Sequence, residues 1–355
     1  MPVFSFRRIF AAVKKRVLLG FSGGIDSCLA ALSLMRQGYD VSLLTLDMTG
    51  DRTLTERAGH SASELGLPQR TVDVRELFRR QVTGPFIDSY RNGKTPSPCV
   101  RCNPAVKWRT LYDTAVREGF DHIATGHYFR IARQKDTWLI RRGADPAKDQ
   151  SYYLWNLPQS VLEIALAPMG ETVKSEAART LPASLRPRES MGVCFMEGQK
   201  PADFLKARIP GIRPGEVVDP SGRTIGTHPG YPLCTIGQKR GLSLGALTGR
   251  YAVTEIHPES NRVTAGPDSE LYRSRLEVGE FRAPDIGRLT GSNRVRVRVR
   301  GIGRNPEGFA QVRPEGDRLV VRLDSPAWAP APGQPVVFYE DDLVLGGGIL
   351  LSARS

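Results

Sequence analysis

The chain has 355 residues, of which 40% are hydrophobic and 25% are charged, and it carries a formal net charge of +13 at pH 7. This composition excludes an intrinsically disordered chain and a membrane-spanning one. The length predicts two or three domains, because single hydrophobic cores stop growing near roughly 250–300 residues. The excess of Lys and Arg favours a polyanionic partner, with nucleic acid as the first candidate.

From Arg16 to about Thr125, short apolar runs alternate with longer amphipathic stretches, a pattern typical of a parallel sheet with crossover helices. The predicted strands are VLLGF, VSLLTLD, QRTVDV and HIATG, and the predicted helices are Ser27–Gln37, Leu54–Leu65, Leu77–Tyr90 and Val106–Val116. We therefore expect a doubly wound α/β domain.

From about Pro210 the pattern changes to short strands broken by Pro and Gly, among them NRVRVRVRG, RLVVRL and LVLGGGILL. This pattern predicts small β-rich modules. We divide the chain into an α/β domain at 1–209, a small β-rich central domain at 210–270 and a C-terminal β-barrel at 271–355.

The strongest local motif is GFSGGIDS at Gly20 to Ser27, which follows the first predicted strand and opens the first predicted helix. Adjacent glycines let the backbone approach a phosphate, and the helix N-terminus offers free N–H groups. The motif lacks the lysine and spacing of a Walker A loop and does not match GxGxxG. We interpret it as a phosphate loop with Asp26 as a candidate partner of Mg²⁺; a tight glycine turn is the simpler alternative.

A second motif, TPSPCVRCN, has two prolines that are expected to stiffen a loop, followed by Cys99 and Cys102 in a CxxC pair. The pair could be half of a metal site, two buried apolar thiols, or a reactive thiol at a helix N-terminus. The five cysteines are odd in number and widely spaced, which excludes a disulfide framework and predicts a reducing, cytoplasmic location. Cys28 and Cys234 are expected to be structural.

Five motifs occur in the order found in the tRNA-specific 2-thiouridylases, and the chain resembles that family over nearly its whole length. They are SGGIDS, TPSPCVRCN, ATGHY at Ala124 to Tyr128, KDQSY at Lys148 to Tyr152, and ESMGVCF at Glu189 to Phe195, which is similar to the family's DSxGICF. TIGQKRGL and LGGGI extend the resemblance into the β-rich part. The resemblance implies a PP-loop enzyme that adenylates the wobble uridine of tRNA and replaces its 2-oxygen with sulfur, releasing AMP and pyrophosphate.

The resemblance also implies residue roles. ATP would be bound by Gly20, Phe21, Ser22, Gly23, Gly24, Ile25, Asp26, Ser27, Leu46 and Gly126. Cys102 matches the nucleophile and Cys194 the carrier of the persulfide. Contacts with tRNA would come from Ser97, Pro98, Cys99, Lys148, Asp149, Gln150, Arg300 and Gly301. The implied cofactors are ATP and Mg²⁺, and the implied partners are tRNA and a persulfide donor protein, with no membrane partner.

Two thiols suit this chemistry, since adenylation turns a poor leaving group into AMP and the persulfide supplies sulfur directly or as hydrosulfide. Either route ends in a Cys102–Cys194 disulfide that an external thiol reduces. We expect the pKa of Cys102 to be lowered, with Arg101 or Lys107 as the helper. Alternatively, Cys99, Cys102 and Cys194 could hold an iron–sulfur cluster.

The chain departs from the family pattern at four positions: Glu189 replaces Asp, Met191 a small residue, Cys99 the Asp of some members, and Gly301 stands where a tyrosine is expected. His127 is expected to line the site or lie in the core rather than bind a metal.

A basic strand is predicted near the end of the chain. Arg294, Arg296, Arg298 and Arg300 alternate with valines, so a strand would project four guanidinium groups from one face. That face could follow the tRNA backbone or could be a solvated outer surface of the barrel.

Two other functions are compatible with parts of the pattern. One is a different PP-loop ligase or amidotransferase acting on a small acid, which the cysteine motifs oppose. The other is an inactive RNA-binding protein, which the intact SGGIDS, Cys102 and Cys194 oppose.

Overall fold

The computed structural model describes residues 14–186, 193–196, 198–301 and 303–355. The strands are β1 (Arg16–Gly20), β2 (Asp40–Asp47), β3 (Gln69–Asp73), β4 (His122–Thr125), β5 (Phe129–Gln134), β6 (Thr137–Arg142), β7 (Ala165–Leu166), β8 (Gly215–Val218), β9 (Thr224–His228), β10 (Tyr251–His257), β11 (Arg262–Pro267), β12 (Tyr272–Arg282), β13 (Arg296–Arg298), β14 (Ala310–Glu315), β15 (Arg318–Trp328), β16 (Pro335–Glu340) and β17 (Leu343–Arg354). The α-helices are α1 (Ile25–Arg36), α2 (Arg52–Leu65), α3 (Arg75–Phe78), α4 (Gly84–Arg91), α5 (Pro98–Cys102), α6 (Trp108–Glu118), α7 (Gln159–Ile164), α8 (Lys174–Ala177), α9 (Pro201–Lys206) and α10 (Ile286–Gly291).

The N-terminal part contains a five-stranded parallel sheet in the order β3-β2-β1-β4-β7. Its central strand β1 is apolar on both faces, and Val17, Leu18 and Leu19 are at most 1% exposed. This is the burial expected of a parallel strand covered by helices. The doubly wound α/β prediction is confirmed, and the strand order reverses between β1 and β4, where such sheets bind their ligands.

Two predicted helices have a different form from the one expected. The stretch predicted at Leu77–Tyr90 is split into α3, a π-helical turn at Arg79–Thr83 and α4. The helix predicted from Val106 begins at Pro98 and continues through α5 and a π-helical turn at Asn103–Lys107 into α6. A proline is accepted in the first turn of a helix, where its missing N–H has no partner to lose.

The rest of the chain is β-rich, as predicted. A four-stranded sheet has the order β10-β11-β8-β9, and a larger sheet follows the path β13-β16-β17-β12-β15-β14. A bridge between Val295 and Ala310 joins the two ends of that path, which closes a barrel. Its interior is filled by valines and leucines, among them Val278, Leu319 and Val336, all fully buried.

A hairpin from the first part of the chain joins the C-terminal sheet, which the sequence did not predict. Strand β5 pairs with β6, and β6 pairs with β17. The carboxylate of Asp342 accepts hydrogen bonds from Arg130 at 3.0 Å and from Arg141 at 2.9 Å. The α/β part and the barrel are therefore joined through a shared sheet. No helix in the described part of the chain is long and apolar enough to cross a bilayer.

Candidate active site

The predicted phosphate loop lies at the carboxyl end of β1, beside the point where the strand order reverses. Among the described residues, no side chain caps the N-terminus of α1 at Gly24. Gly23 has φ +67°, and a Cβ there would lie 2.7 Å from the Cα of Ala58, so only glycine fits. The hydroxyls of Ser22 and Ser27 lie 3.4 Å apart across the loop. The geometry suits an anion, because free N–H groups and the positive end of the helix dipole face the same space.

Asp26, in the first turn of α1, is held by two side chains from distant segments. The hydroxyl of Tyr128 donates to its Oδ1 at 2.9 Å, and Nζ of Lys174 donates to its Oδ2 at 3.0 Å. Lys174 is buried, whereas 38% of the Asp26 side chain is exposed. A buried cation therefore stands beside a loop that contains no lysine of its own. Sequence analysis missed Lys174 as a site residue, and only the ATGHY motif pointed towards Tyr128.

The remaining predicted ATP residues surround the loop. A Cβ at Gly126 would lie 2.8 Å from the carbonyl carbon of Asp26 and 2.9 Å from the backbone nitrogen of Ser27, so the end of β4 is pressed against the first turn of α1. A Cβ at Gly20 would lie 3.0 Å from the side chain of Leu111. Leu46 lies at the carboxyl end of β2, the strand next to the loop.

Cys99 and Cys102 lie in α5, three residues apart and therefore on one face of the helix. Cys102 is buried, with 4% exposure, and Cys99 is partly buried. The side chain of Asn103 donates to the carbonyl oxygen of Tyr153 at 3.0 Å and fixes the segment against the KDQSY region. Ser97 and Pro98 form the start of this helix rather than the stiff loop expected from the sequence.

Cys194 is exposed at the start of a short 3-10 turn, Cys194–Met196. The next residue, Phe195, is buried in a hydrophobic cluster that also contains Cys102, Phe78 and Phe86, and Leu46 packs against the same cluster. The structure therefore brings the predicted sulfur carrier, the predicted nucleophile and the predicted adenosine side together. Glu189 and Met191, two of the departures from the family pattern, lie outside the described residues.

The prediction of a lowered pKa at Cys102 is wrong for this structure. Burial raises the pKa of Cys102 to about 12, although the nearby ammonium of Lys107 acts in the opposite direction. Burial also raises the pKa of Cys99. Burial of Lys107 favours the neutral amine and acts to lower its pKa. The three thiols Cys102, Cys194 and Cys99 act in the opposite direction, and the pKa of Lys107 is raised overall. Desolvation outweighs the charge of Lys107, one of the two cations that sequence analysis offered as the helper.

His127 is partly buried beside the phosphate loop and is in its neutral form. Burial, with a smaller effect of Lys107, lowers its pKa to about 3. Its Nδ1 lies 2.7 Å from the hydroxyl of Thr125, and its ring stacks on Trp108 at 6.3 Å. His127 follows Gly126 directly, so this stack connects the phosphate loop with the helix that carries the cysteines.

Cys28 and Cys234 lie in hydrophobic clusters away from the other thiols. Burial raises the pKa of Cys28 to about 11 and that of Cys234 to about 12. Both thiols are therefore protonated at neutral pH and packed as apolar groups, in keeping with the structural role expected of them.

The three thiols of the site do not form a metal centre as they stand. Cys99, Cys102 and Cys194 are all described, and in the described part of the chain no three His, Cys, Asp or Glu residues are arranged to hold a metal ion. The iron–sulfur alternative does not fit this arrangement, and we derive no step from it.

The side chain of Asp149, which was expected to contact tRNA, is buried in this structure. Its side chain has no exposure, and it accepts hydrogen bonds from Arg298 at 2.9 Å, Arg142 at 3.3 Å and the backbone of Gly143 at 3.2 Å. In this structure the carboxylate is enclosed by these donors rather than exposed at the surface. In this structure Asp149 instead anchors its neighbours Lys148 and Gln150, which are partly buried.

Arg300 and Gly301 are also turned inward. The guanidinium of Arg300 lies 5.0 Å from the ring centroid of Trp328 and donates to the carbonyl oxygen of Ala329 at 2.7 Å, and burial lowers its pKa. A Cβ at Gly301 would overlap the hydroxyl of Tyr153. Direct tRNA contacts by these two residues would need a rearrangement, and Tyr153 fills the space in which a side chain at 301 would begin.

The predicted basic strand is shorter and less cationic than expected. Only Arg296–Arg298 forms a strand, although Val295, Val297 and Val299 are buried as the alternation predicted. Arg298 is paired with Asp149, and Arg294 is paired with Asp341 at 2.9 Å. Two of the four arginines are thus partly neutralised by carboxylates, and a uniform cationic face is not formed.

Comparison with known protein families identifies the class of protein to which the chain belongs. Three family models match in succession: the tRNA methyl transferase HUP domain over residues 15–198, the tRNA methyl transferase PRC-barrel domain over 202–267, and the Aminomethyltransferase beta-barrel domain over 278–350. The chain is therefore a HUP-domain protein followed by two β-barrel modules, which agrees with the parallel sheet and the two β-rich sheets described above.

Relatives extend this match over nearly the full length. The chain is 35% identical to the tRNA-specific 2-thiouridylase MnmA of Dehalococcoides mccartyi, over 94% of this chain and 96% of that protein. It is 38% identical to MnmA 3 of Bacteroides fragilis, over 96% and 95%. A solved structure, a predicted subunit of tRNA methyltransferase from Methanocaldococcus jannaschii, aligns at 19% identity over 46% of this chain and 72% of that chain with a TM-score of 0.31, too low to bear on the fold. The chain belongs to the tRNA-specific 2-thiouridylase family, which confirms the resemblance found in the sequence.

Proposed function

We propose that this protein makes 2-thiouridine in tRNA by adenylating the wobble uridine with ATP and transferring sulfur from a persulfide on Cys194. The observation that carries the proposal is the shared cluster of Leu46, Cys102 and Phe195, in which the predicted adenosine side of the nucleotide site packs against the residues that carry the thiols. The convergence of an anion-binding helix end with an exposed and a buried thiol suits a reaction that needs both nucleotide and sulfur.

ATP would bind with its phosphates at the N-terminus of α1 and its adenosine towards Leu46 and Gly126. Lys174 would add a buried positive charge where the pyrophosphate leaves, a position in which a preorganised cation stabilises developing negative charge. Asp26 offers the oxygen ligands that Mg²⁺ prefers, so the residues of the loop fit this ion. When bound, Mg²⁺ would neutralise charge on the departing pyrophosphate.

In the first chemical step, the 2-oxygen of uridine attacks the α-phosphorus of ATP, and pyrophosphate leaves. In the second, the outer sulfur of the Cys194 persulfide attacks the activated carbon and AMP leaves. Cys102 then attacks the inner sulfur, which leaves thiocarbonyl sulfur on the base and forms a Cys102–Cys194 disulfide. If Cys102 attacks first, it releases hydrosulfide, which attacks the carbon instead. An external thiol reduces the disulfide in both cases.

Binding of tRNA is assigned to the surface around the cysteine helix. Ser97, Pro98 and Cys99 would hold the target base beside Cys102, and Lys148 and Gln150 would contact the tRNA nearby. Asp149, Arg300 and Gly301 are buried or turned inward, so we assign them to support of this surface. A persulfide donor protein would load the exposed Cys194, and the need for free thiols suits a reducing cytoplasm.

The test is nucleoside mass spectrometry of tRNA incubated with the protein, ATP, Mg²⁺ and a persulfide source. Wild type should produce 2-thiouridine, and Cys194→Ala should produce none. Cys234→Ala, which removes a buried thiol outside the site, is the control for a general effect of losing a cysteine. Tight tRNA binding by wild type without any thiolated nucleoside would instead favour an inactive RNA-binding protein.

A further inference from the structure

Tyr128 connects the phosphate loop to the segment that we assign to tRNA. At its side chain, the hydroxyl donates to Oδ1 of Asp26 at 2.9 Å. At its backbone, the N–H donates to Oε1 of Gln150 at 3.0 Å, and the carbonyl oxygen accepts from the N–H of Gln150 at 2.9 Å. One residue is therefore hydrogen-bonded to the KDQ segment at one end and to the carboxylate of the phosphate loop at the other.

A second chain of hydrogen bonds runs in parallel. The backbone N–H of Lys174, whose ammonium also holds Asp26, donates to Oδ2 of Asp145 at 3.1 Å. Asp145 begins the turn that precedes the KDQ segment, and its carbonyl oxygen accepts from the N–H of Lys148 at 3.1 Å. Both groups that hold Asp26 are thus tied to the same short segment, 145–150.

The residues around this connection are tightly packed. Tyr128 is 2% exposed, and Gly126, two residues earlier, has backbone of Asp26 and Ser27 within 2.9 Å of where its Cβ would be. On the other side, Asp149 is fixed to Arg298 of the barrel. A hydrogen bond to a charged carboxylate in such a setting fixes the direction of that carboxylate, because the packed neighbours prevent compensating shifts.

We propose that Tyr128 is a positioning residue that orients Asp26 for the attack of the uridine 2-oxygen on ATP, and that it does so most effectively when tRNA contacts the Lys148–Gln150 segment. The inference rests on the proposed function, because it concerns the adenylation step of that reaction. Bound tRNA restrains segment 145–150. Through the two hydrogen-bonded connections, this segment restrains Tyr128 and Lys174. These two side chains in turn hold Asp26 in the geometry required at the phosphates of ATP.

Tyr128→Phe tests the proposal, since it removes one hydroxyl and keeps the ring. Pyrophosphate release is measured from ATP with tRNA and sodium sulfide, and without tRNA, together with the affinities for ATP and tRNA. We expect the tRNA-stimulated kcat to fall about tenfold, in line with the loss of one hydrogen bond to a charged group. The two affinities should change less than about twofold, because the lost contact acts on the geometry of the reaction rather than on binding.

The matched control is Tyr231→Phe, which removes a hydroxyl that donates to the carbonyl oxygen of Arg91, away from Asp26. Gln150→Met removes the side-chain acceptor of the Tyr128 N–H, one of the two hydrogen bonds at the other end of the connection, and should lower the stimulation by tRNA as well. A Tyr128→Phe protein with wild-type kcat overturns the inference, and so does one that loses ATP affinity in parallel with kcat. If wild type itself releases no pyrophosphate with tRNA, the proposed function fails first, and that outcome is recognised before any variant is compared.

Discussion

The thiol of Cys102 lies at a site where burial and charge oppose each other. Sequence reasoning offered Arg101 or Lys107 as the nearby cation, and Lys107 is the one that acts on the thiol. It could not predict the hydrophobic cluster that surrounds the sulfur, because the members of that cluster come from separate parts of the chain. With the pKa raised to about 12, the thiol is protonated at neutral pH. It would become a nucleophile only when binding of substrate or loading of Cys194 changes its surroundings.

Slow alkylation of Cys102 is therefore expected in the free protein. In a Cys194→Ser background, iodoacetamide should label Cys102 only slowly up to about pH 9, because the thiolate is the reactive form. Lys107→Met removes the charge that favours the thiolate and should slow the labelling further, whereas Lys206→Met, at the exposed end of α9, should not. Peptide mass spectrometry after timed quenching provides the rates, and rapid labelling at neutral pH would contradict the burial argument.

His127 should make folding stability depend on pH. Its pKa is about 3 when folded and about 6.5 when unfolded. Between these values the unfolded chain binds a proton that the folded protein does not, so stability is lost as pH falls through this window. His127→Gln should remove up to one proton from this dependence, at most about 1.4 kcal/mol per pH unit. Urea unfolding at several pH values measures the slope, and an unchanged slope would contradict the prediction.

At the scale of secondary structure, the sequence predicted the parallel strands well because their apolar runs are short and bounded by turn residues. It failed where helical geometry changes within one continuous stretch. The π-helical turns at Arg79–Thr83 and Asn103–Lys107 are too short to produce a hydrophobic periodicity from which they could be predicted. The prolines at 96 and 98 favoured a loop where the structure has the start of a helix. The start of α5 at Pro98 follows from tertiary packing of Val100 and Cys102, which the local pattern does not contain.

The contact between the end of β4 and the first turn of α1 gives a prediction at this scale. Gly126→Ala would place a methyl group 2.8 Å from the backbone of Asp26, which cannot move aside without shifting the helix N-terminus. We expect the Kd for ATP to rise by at least about tenfold, equal to about 1.4 kcal/mol. Gly59→Ala, which meets nothing within 4 Å inside α2, should leave ATP binding unchanged and raise stability slightly. Titration calorimetry with ATP distinguishes the two, and equal affinities would contradict the steric argument.

At the scale of the whole molecule, the sequence predicted the order of architectures but not how they are joined. The donors to Asp149 include Arg298 from the barrel, and strand β6 pairs with β17, contacts between residues far apart in the chain. No local pattern encodes such pairs. This is also why KDQ could be recognised as a motif while the inward direction of its carboxylate could not be inferred.

The buried carboxylate at Asp149 should contribute strongly to stability. Asp149→Asn leaves Arg142 and Arg298 without their counter-charge and should destabilise the protein by about 3–5 kcal/mol. Combining it with Arg298→Met should cost less than the sum of the two changes, as expected of coupled partners. Asp341→Asn, which loses an exposed pair with Arg294, should change stability by less than about 1 kcal/mol. Chemical denaturation measures all four, and additive effects at 149 and 298 would contradict the coupling.

The hairpin β5–β6 also determines when the molecule is completed during its synthesis. Arg141 and its partner Asp342 are separated by 201 residues. At roughly 5–20 residues per second, the hairpin leaves the ribosome about 10–40 s before that partner does. Throughout this interval β6 presents an unpaired strand edge, the kind of surface that recruits other chains and chaperones. A message cut short before the codon for Asp342 would yield a chain that has its phosphate loop and all its cysteines but lacks β17, the strand through which the hairpin joins the barrel.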